Sequence, residues 1–130
     1  MLIKCLSNTG NEILQSNLNE LNWPRRETVF DITPGKVYFV DCITMWRDNV
    51  WYYIIDDNEL YYPTWYPAEL FEIIDFTMPF FWIFGLETAY KDRIYPIISF
   101  PEWANDLNFY EKLIGGDEEA IRIFNRYKNC

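Results

Sequence analysis

At 130 residues, half of them apolar, the chain has the length of one domain and enough core to bury about two-thirds of the surface it exposes when extended. Its formal charge of −9 argues against direct nucleic-acid binding, because affinity for phosphate backbones comes mainly from Lys and Arg. The absence of histidine removes every Ser-His and Cys-His nucleophile and the side chain most used for proton transfer near neutral pH.

Met1 to Leu6 reads as a short strand, and Ser7 to Asn11 (SNTGN) as the turn cluster that stops it. Glu12 to Arg26 is polar, with Leu14, Leu18 and Leu21 at helical spacing. Trp23-Pro24 ends any helix there, because proline disfavours helical geometry in the residue before it. The reading is a loop with at most a turn or two of helix. Thr28 to Ile32 is a second extended piece, followed by the Pro34-Gly35 turn signal. Lys36 to Ile43 (KVYFVDCI) and Val50 to Ile55 (VWYYII) are β-branched and aromatic, and the polar Arg47-Asp48-Asn49 between them predicts a hairpin. Asp56 to Glu59 (DDNE) predicts a turn into a strand at Leu60 to Tyr62. In Glu69 to Asp75 (ELFEIID) the acids recur at every third residue, which fits helix or strand, and shortness with flanking prolines favours strand. Phe80 to Leu86 and Ile94 to Phe100 complete the β pieces.

The period then changes. Ser99-Phe100-Pro101-Glu102 fits a capping box, and Phe100, Trp103, Leu107, Tyr110 and Ile114 form one apolar helical stripe ended by Gly115-Gly116. Asp117, Glu118 and Glu119 suit the start of a second helix, whose buried stripe is Ala120, Ile121, Phe124 and Tyr127. The expected fold is α+β, mainly β. It is one domain over 1–130, with a β core at 28–98 and a C-terminal helical pair at 99–130 covering an open face or edge of the sheet.

Most of the 26 aromatic rings read as core filling, but six Trp and ten Tyr are more than an ordinary core fully hides, so some rings should reach the surface and mark contact sites. Between Asp41 and Asp75 there are eight acids against a single base, Arg47. Such a field attracts basic partners and speeds their encounter, although surface acids also serve simply for solubility. Cys5, Cys42 and Cys130 match no zinc pattern and no CxxC motif, and read as free thiols in a reducing cytoplasm. No metal or cofactor is expected: Asp56-Asp57-Asn58-Glu59 lacks the glycine and the spacing of a calcium loop. The longest apolar run, Met78 to Leu86, is far too short for a membrane span, and MLIKCLS is too short for a signal peptide.

Gly35-Lys36-Val37-Tyr38-Phe39-Val40, the hairpin into Trp51-Tyr52-Tyr53-Ile54-Ile55-Asp56-Asp57, and Tyr66-Pro67-Ala68-Glu69-Leu70-Phe71-Glu72-Ile73 together resemble an SH3-like small barrel. In that family a Pro-small-x-aromatic step makes one tight turn before the final strand, and Pro67-Ala68-Glu69-Leu70-Phe71 is similar to it. The resemblance covers roughly residues 28 to 75 and implies a barrel or a strongly bent antiparallel sheet. No acidic-aromatic first loop of the peptide-binding kind is present, which argues against proline-rich ligands. The overall make-up, small, acidic and histidine-free, also resembles immunity proteins of bacterial toxin systems, including contact-dependent growth inhibition.

That likeness implies a non-catalytic cytoplasmic inhibitor of a basic bacterial toxin such as a nuclease. The expected contact residues are the acids Asp48, Asp56, Asp57, Glu59, Glu69 and Glu72, with Trp46, Trp65 and Tyr66 as aromatic anchors. The rival reading is an SH3-like adaptor that binds a protein or peptide within a larger assembly. A carboxylate enzyme is the third, using Asp56 with Glu72 or Asp41 with Asp75.

Overall fold

The structure, a computed structural model, describes residues 1–10, 28–46, 48–90, 93–106 and 108–129. The expectations for Glu12 to Arg26, and those for Arg47, Leu107 and Cys130, fall outside these residues. Among the described residues eight strands are formed: β1 Leu2–Cys5, β2 Val37–Phe39, β3 Cys42–Trp46, β4 Asn49–Ile54, β5 Thr64–Pro67, β6 Phe71–Asp75, β7 Ile83–Tyr90 and β8 Arg93–Ser99. Three short helices follow: α1 Pro101–Ala104, α2 Phe109–Ile114 and α3 Glu118–Tyr127.

All strand pairs are antiparallel, in a three-stranded sheet of order β2-β1-β6 and a five-stranded sheet of order β5-β4-β3-β8-β7. Val40 and Asp41 carry the chain from one sheet to the other. The Val40 N–H donates to the Met1 carbonyl at 3.2 Å, while the next N–H, of Asp41, donates to Tyr53 in the other sheet at 2.8 Å. The fold class is therefore α+β and mainly strand, but the described strands form two sheets, not one closed barrel.

Alternation along the strands divides the apolar residues between two cores. Ile3, Tyr38, Ile43, Tyr52, Ile54 and Leu70 meet in one core, which draws on both sheets. Cys42, Ile97, Phe100, Trp103, Leu113 and Phe124 form the second, between the opposite face of the larger sheet and the helices. A sheet covered on both sides needs apolar residues at consecutive positions. That requirement accounts for the unbroken VWYYII run, in which Tyr52 and Ile54 enter the first core and Tyr53 packs against the second.

Several boundaries differ from expectation. Thr28 to Ile32 contributes only an isolated bridge, Val29 to Thr9. Leu60 to Tyr62 is loop, and β5 begins at Thr64. Here the side chains tie the loop to α2: the Tyr61 hydroxyl donates to the Ile114 carbonyl at 2.7 Å, and Tyr110 donates to Pro63 at 2.8 Å. The Phe80 to Leu86 run starts as a turn, with the Trp82 N–H bonded to the Pro79 carbonyl at 3.1 Å, so β7 begins only at Ile83. Ala68–Leu70 forms a 3-10 turn closed by the Phe71 N–H on the Ala68 carbonyl, and the strand expected from Glu69 starts at Phe71.

The capping box does not form. Ser99 instead donates to the Asp41 carbonyl at 2.7 Å, and Glu102 accepts from Tyr127 and Arg126 at 3.0 Å each. The expected helix from Phe100 to Ile114 is interrupted after Ala104, because the Asp106 carboxylate takes the Asn108 N–H at 2.9 Å, a local turn that competes with helix. The helical pair is thus three segments. α3 is capped as its sequence suggests, with the Asp117 carboxylate accepting from the Ala120 N–H at 2.9 Å.

Candidate functional site

The short helices cover only part of the larger sheet's outer face. Beyond them Thr44 and Trp46 of β3, Tyr53 of β4, Trp65 of β5, Tyr95 of β8 and Tyr110 of α2 line an open groove of about 310 Å3. The rings brace one another edge to face: Trp46 with Tyr95 at 5.2 Å between centroids, Trp65 with Trp51 at 4.8 Å, and Tyr53 with Tyr110 at 5.0 Å. Hydrogen bonds hold the frame, from Thr44 Oγ1 to the Pro96 carbonyl at 2.8 Å and from Trp51 Nε1 to the Trp46 carbonyl at 3.3 Å. The Tyr110 phenol is pushed far above its ordinary range, first by burial and then by neighbouring Tyr62 and Cys42. It therefore stays protonated, and its one proton remains committed to the Pro63 carbonyl, which fixes the ring in the groove wall. Such a wall of rigid rings suits the burial of a partner's apolar or aromatic side chain at little cost in conformational entropy.

Trp46 and Trp65, separated by nineteen positions in the chain, are the two expected anchors that the fold brings together. Asp48 stands exposed at the tip of the β3-β4 hairpin that carries Trp46, with φ at +63°. Tyr66, the third expected anchor, is buried in the core between the sheets and cannot be a surface contact.

Asp56 and Asp57 are also committed internally. The Asp56 carboxylate accepts from the Tyr66 hydroxyl at 2.6 Å and from the Asn58 N–H at 3.0 Å. Asp57 accepts from Thr33 Oγ1 at 2.6 Å, Lys36 Nζ at 2.7 Å and the Tyr38 hydroxyl at 2.8 Å. Burial raises the Asp57 carboxyl, but the bonds from Lys36, Thr33 and Tyr38 outweigh it and leave the group below the usual carboxylate range. This network staples the loop after β4 to β2. Tyr66→Phe removes the donor from the buried Asp56 oxygen and is expected to lower stability by about 1–3 kcal/mol, read from urea unfolding at pH 7. An unchanged midpoint would mean that water replaces the hydroxyl.

The remaining expected acids scatter. Glu59 is exposed with φ at +52°, Glu69 is half-buried in the 3-10 turn, and Glu72 is exposed on β6 opposite Lys4. β6 lies in the smaller sheet and the groove on the helix side of the larger one, so the nine expected contact residues do not share one face. The carboxylate pairs are not brought into one site either. Asp56 is sequestered by Tyr66 while Glu72 is in the open, and Asp41 is buried while Asp75 is exposed at the end of β6. Among the described residues no cluster of three or more potential metal ligands occurs. No helix among them is long and apolar enough to cross a membrane. Cys5 and Cys42 are free and buried, and burial pushes the Cys5 thiol above its ordinary value.

Two features went unrecognised in the sequence. Thr44, Tyr53, Tyr95 and Tyr110 complete the groove, and only the fold joins them. Phe76, Met78, Phe80, Phe84 and Leu86 are exposed along β7 and the loop before it, Phe80 almost completely at 98%. The run MPFFWIFGL carried that signal, but an apolar run reads equally well as a buried strand. Comparison with protein-family models, with curated proteins and with solved structures gave no match.

Proposed function

We propose that this protein is a non-catalytic immunity-type inhibitor that binds a basic bacterial toxin, such as a nuclease, through the aromatic groove and Asp48 at the hairpin tip beside it. The observation that carries the reading is the convergence of Trp46 and Trp65 on one open, internally braced groove in a chain of net charge −9. Trp is among the residues that dominate interface energies, and the negative field accelerates capture of a positive partner. A toxin that cuts a phosphate backbone carries the matching positive charge in its active site.

The test is capture from native-host lysate at low and high salt, followed by an assay of the captured protein's toxicity with and without this chain. A basic toxin, released by salt and neutralised by the chain, supports the reading. Trp46→Ala and Trp65→Ala should each weaken the complex by about 2 kcal/mol or more, read by calorimetry. Undiminished affinity in both variants would remove the groove from the interface.

A second reading, an SH3-like adaptor, draws on the strand order. The strands run β6-β1-β2 and, through Val40 and Asp41, β3-β4-β5, and a 3-10 turn separates β5 from β6. That order agrees with an open, SH3-like bent sheet to which the β7-β8 hairpin is added along β3. Recovery of a salt-insensitive multi-subunit assembly would favour this adaptor role.

A further inference from the structure

The step of the chain between the two sheets creates a second pocket, of about 180 Å3, which the groove does not use. Asp41 lines it together with Tyr38 and Phe39 of β2 and with Asp56 and Glu59 from the loop after β4. Asp41 is only 7% exposed, yet its carboxyl receives no hydrogen bond and makes no ion pair among the described residues. The rest of the residue is fully used: its N–H bonds to Tyr53, and its carbonyl accepts from Ser99. No side-chain polar atom among the described residues is sealed away without a partner. The Asp41 carboxyl, having none, therefore opens into the pocket.

Neither nearby cation pairs with this carboxyl. Lys36 also lines the pocket, but its Nζ is held by Asp57 at 2.7 Å. Lys128 is exposed and reaches Asp41 only through space. Both Asp56 oxygens already accept hydrogen bonds, which leaves Asp41 within the pocket and Glu59 exposed at its side as the acids open to a ligand.

We propose that this pocket receives the guanidinium group of an arginine side chain from the protein partner, with Asp41 as its principal anchor. The inference deepens the toxin-binding function proposed above, since a basic partner supplies arginines. Guanidinium fits better than ammonium for two reasons. It is less strongly hydrated and so cheaper to bury, and its planar fork of donors engages carboxylates through paired hydrogen bonds. The aromatic wall already accommodates a cation, with Lys36 Nζ 5.2 Å from the centre of the Tyr38 ring. A volume of about 180 Å3 admits one long side chain and excludes a folded segment.

The experiment is an NMR titration of the full chain at pH 8 with N-acetyl-arginine methylamide, with the citrulline analogue, equal in shape and uncharged, as the control. The expected result is a saturable shift of the Asp41, Asp56, Glu59 and Asn129 amides with the arginine compound alone. Asp41→Asn, which removes the charge and keeps the shape, should weaken that binding roughly tenfold or more. Lys128→Gln should tighten it, because a competing positive charge is removed. Shifts of equal size with citrulline, the absence of saturable shifts, or unchanged affinity in Asp41→Asn would overturn the proposal. Because the titration involves no toxin, its failure leaves the groove reading intact, and failure to capture a toxin leaves the pocket's ligand class intact.

Discussion

Asp41→Asn is expected to stabilise the protein by as much as about 4 kcal/mol at pH 8 and to have little effect near pH 4. Burial pushes the Asp41 carboxyl up to about 7, partly offset by the positive charge of Lys128, whereas an aspartate in the unfolded chain titrates near its ordinary value of 3.8. Below pH 4 both states are protonated. Between pH 4 and 7 the unfolded chain releases a proton that the folded chain retains, so the folded state loses stability as pH rises, and above 7 the penalty is constant. Asparagine removes this titration. Urea unfolding at half-unit steps from pH 4 to 8 should give two stability curves that diverge through this window and then run parallel. Curves that stay parallel throughout would mean that the carboxyl is solvated in the folded state. A stabilising substitution at a site argued to bind a ligand is physically coherent, because groups arranged to hold a charge are commonly retained at the expense of stability.

Gly85→Ala is expected to destabilise the protein by about 3 kcal/mol or more, at the upper end of what overpacking costs. Gly85 of β7 lies opposite Ile97 and beneath α1, and a Cβ built there falls far inside contact distance of the Ala104 carbonyl. The obstacle is backbone, so no rotamer change relieves it. β7 and α1 have to separate, which opens the core at Phe100, Trp103 and Ala104. Ala104→Gly should fail to rescue the variant, since the carbonyl remains. Gly35→Ala is a useful contrast: its Cβ meets nothing within 4 Å, and only the left-handed φ of +87° opposes it, at about 1 kcal/mol. Thermal unfolding of the two variants checks the order, and a milder effect at Gly85 than at Gly35 would show that α1 moves aside freely.

The hairpin of β3 and β4 was legible because its composition and its polar turn are local properties. Trp46 and Trp65 stood out as surplus aromatics for the same reason. The passage between sheets at Val40 and Asp41 was not legible, because whether a strand continues in one sheet or transfers to another depends on which neighbours take successive N–H groups. Asp56 and Asp57 were assigned to the surface because an acid in a turn looks the same whether it faces a partner or ties down its own loop. Their commitment depends on Thr33, Lys36, Tyr38 and Tyr66, brought near only by the fold. The break between α1 and α2 was missed because periodicity continues across it, while a single carboxylate, that of Asp106, diverts the backbone.

β7 ends the larger sheet, and it carries Phe84 and Leu86 in the open beside Phe76 and Phe80. A margin like this is a hazard in a concentrated solution, because an edge strand with greasy side chains is a template for other chains. Mutual repulsion between molecules of charge −9 holds copies apart at neutral pH, and it vanishes as the medium approaches the isoelectric point near 4.4. The acidity spread over the rest of the surface thus acts as a colloidal stabiliser for one sticky border, a duty that depends on the total charge and on no particular carboxylate.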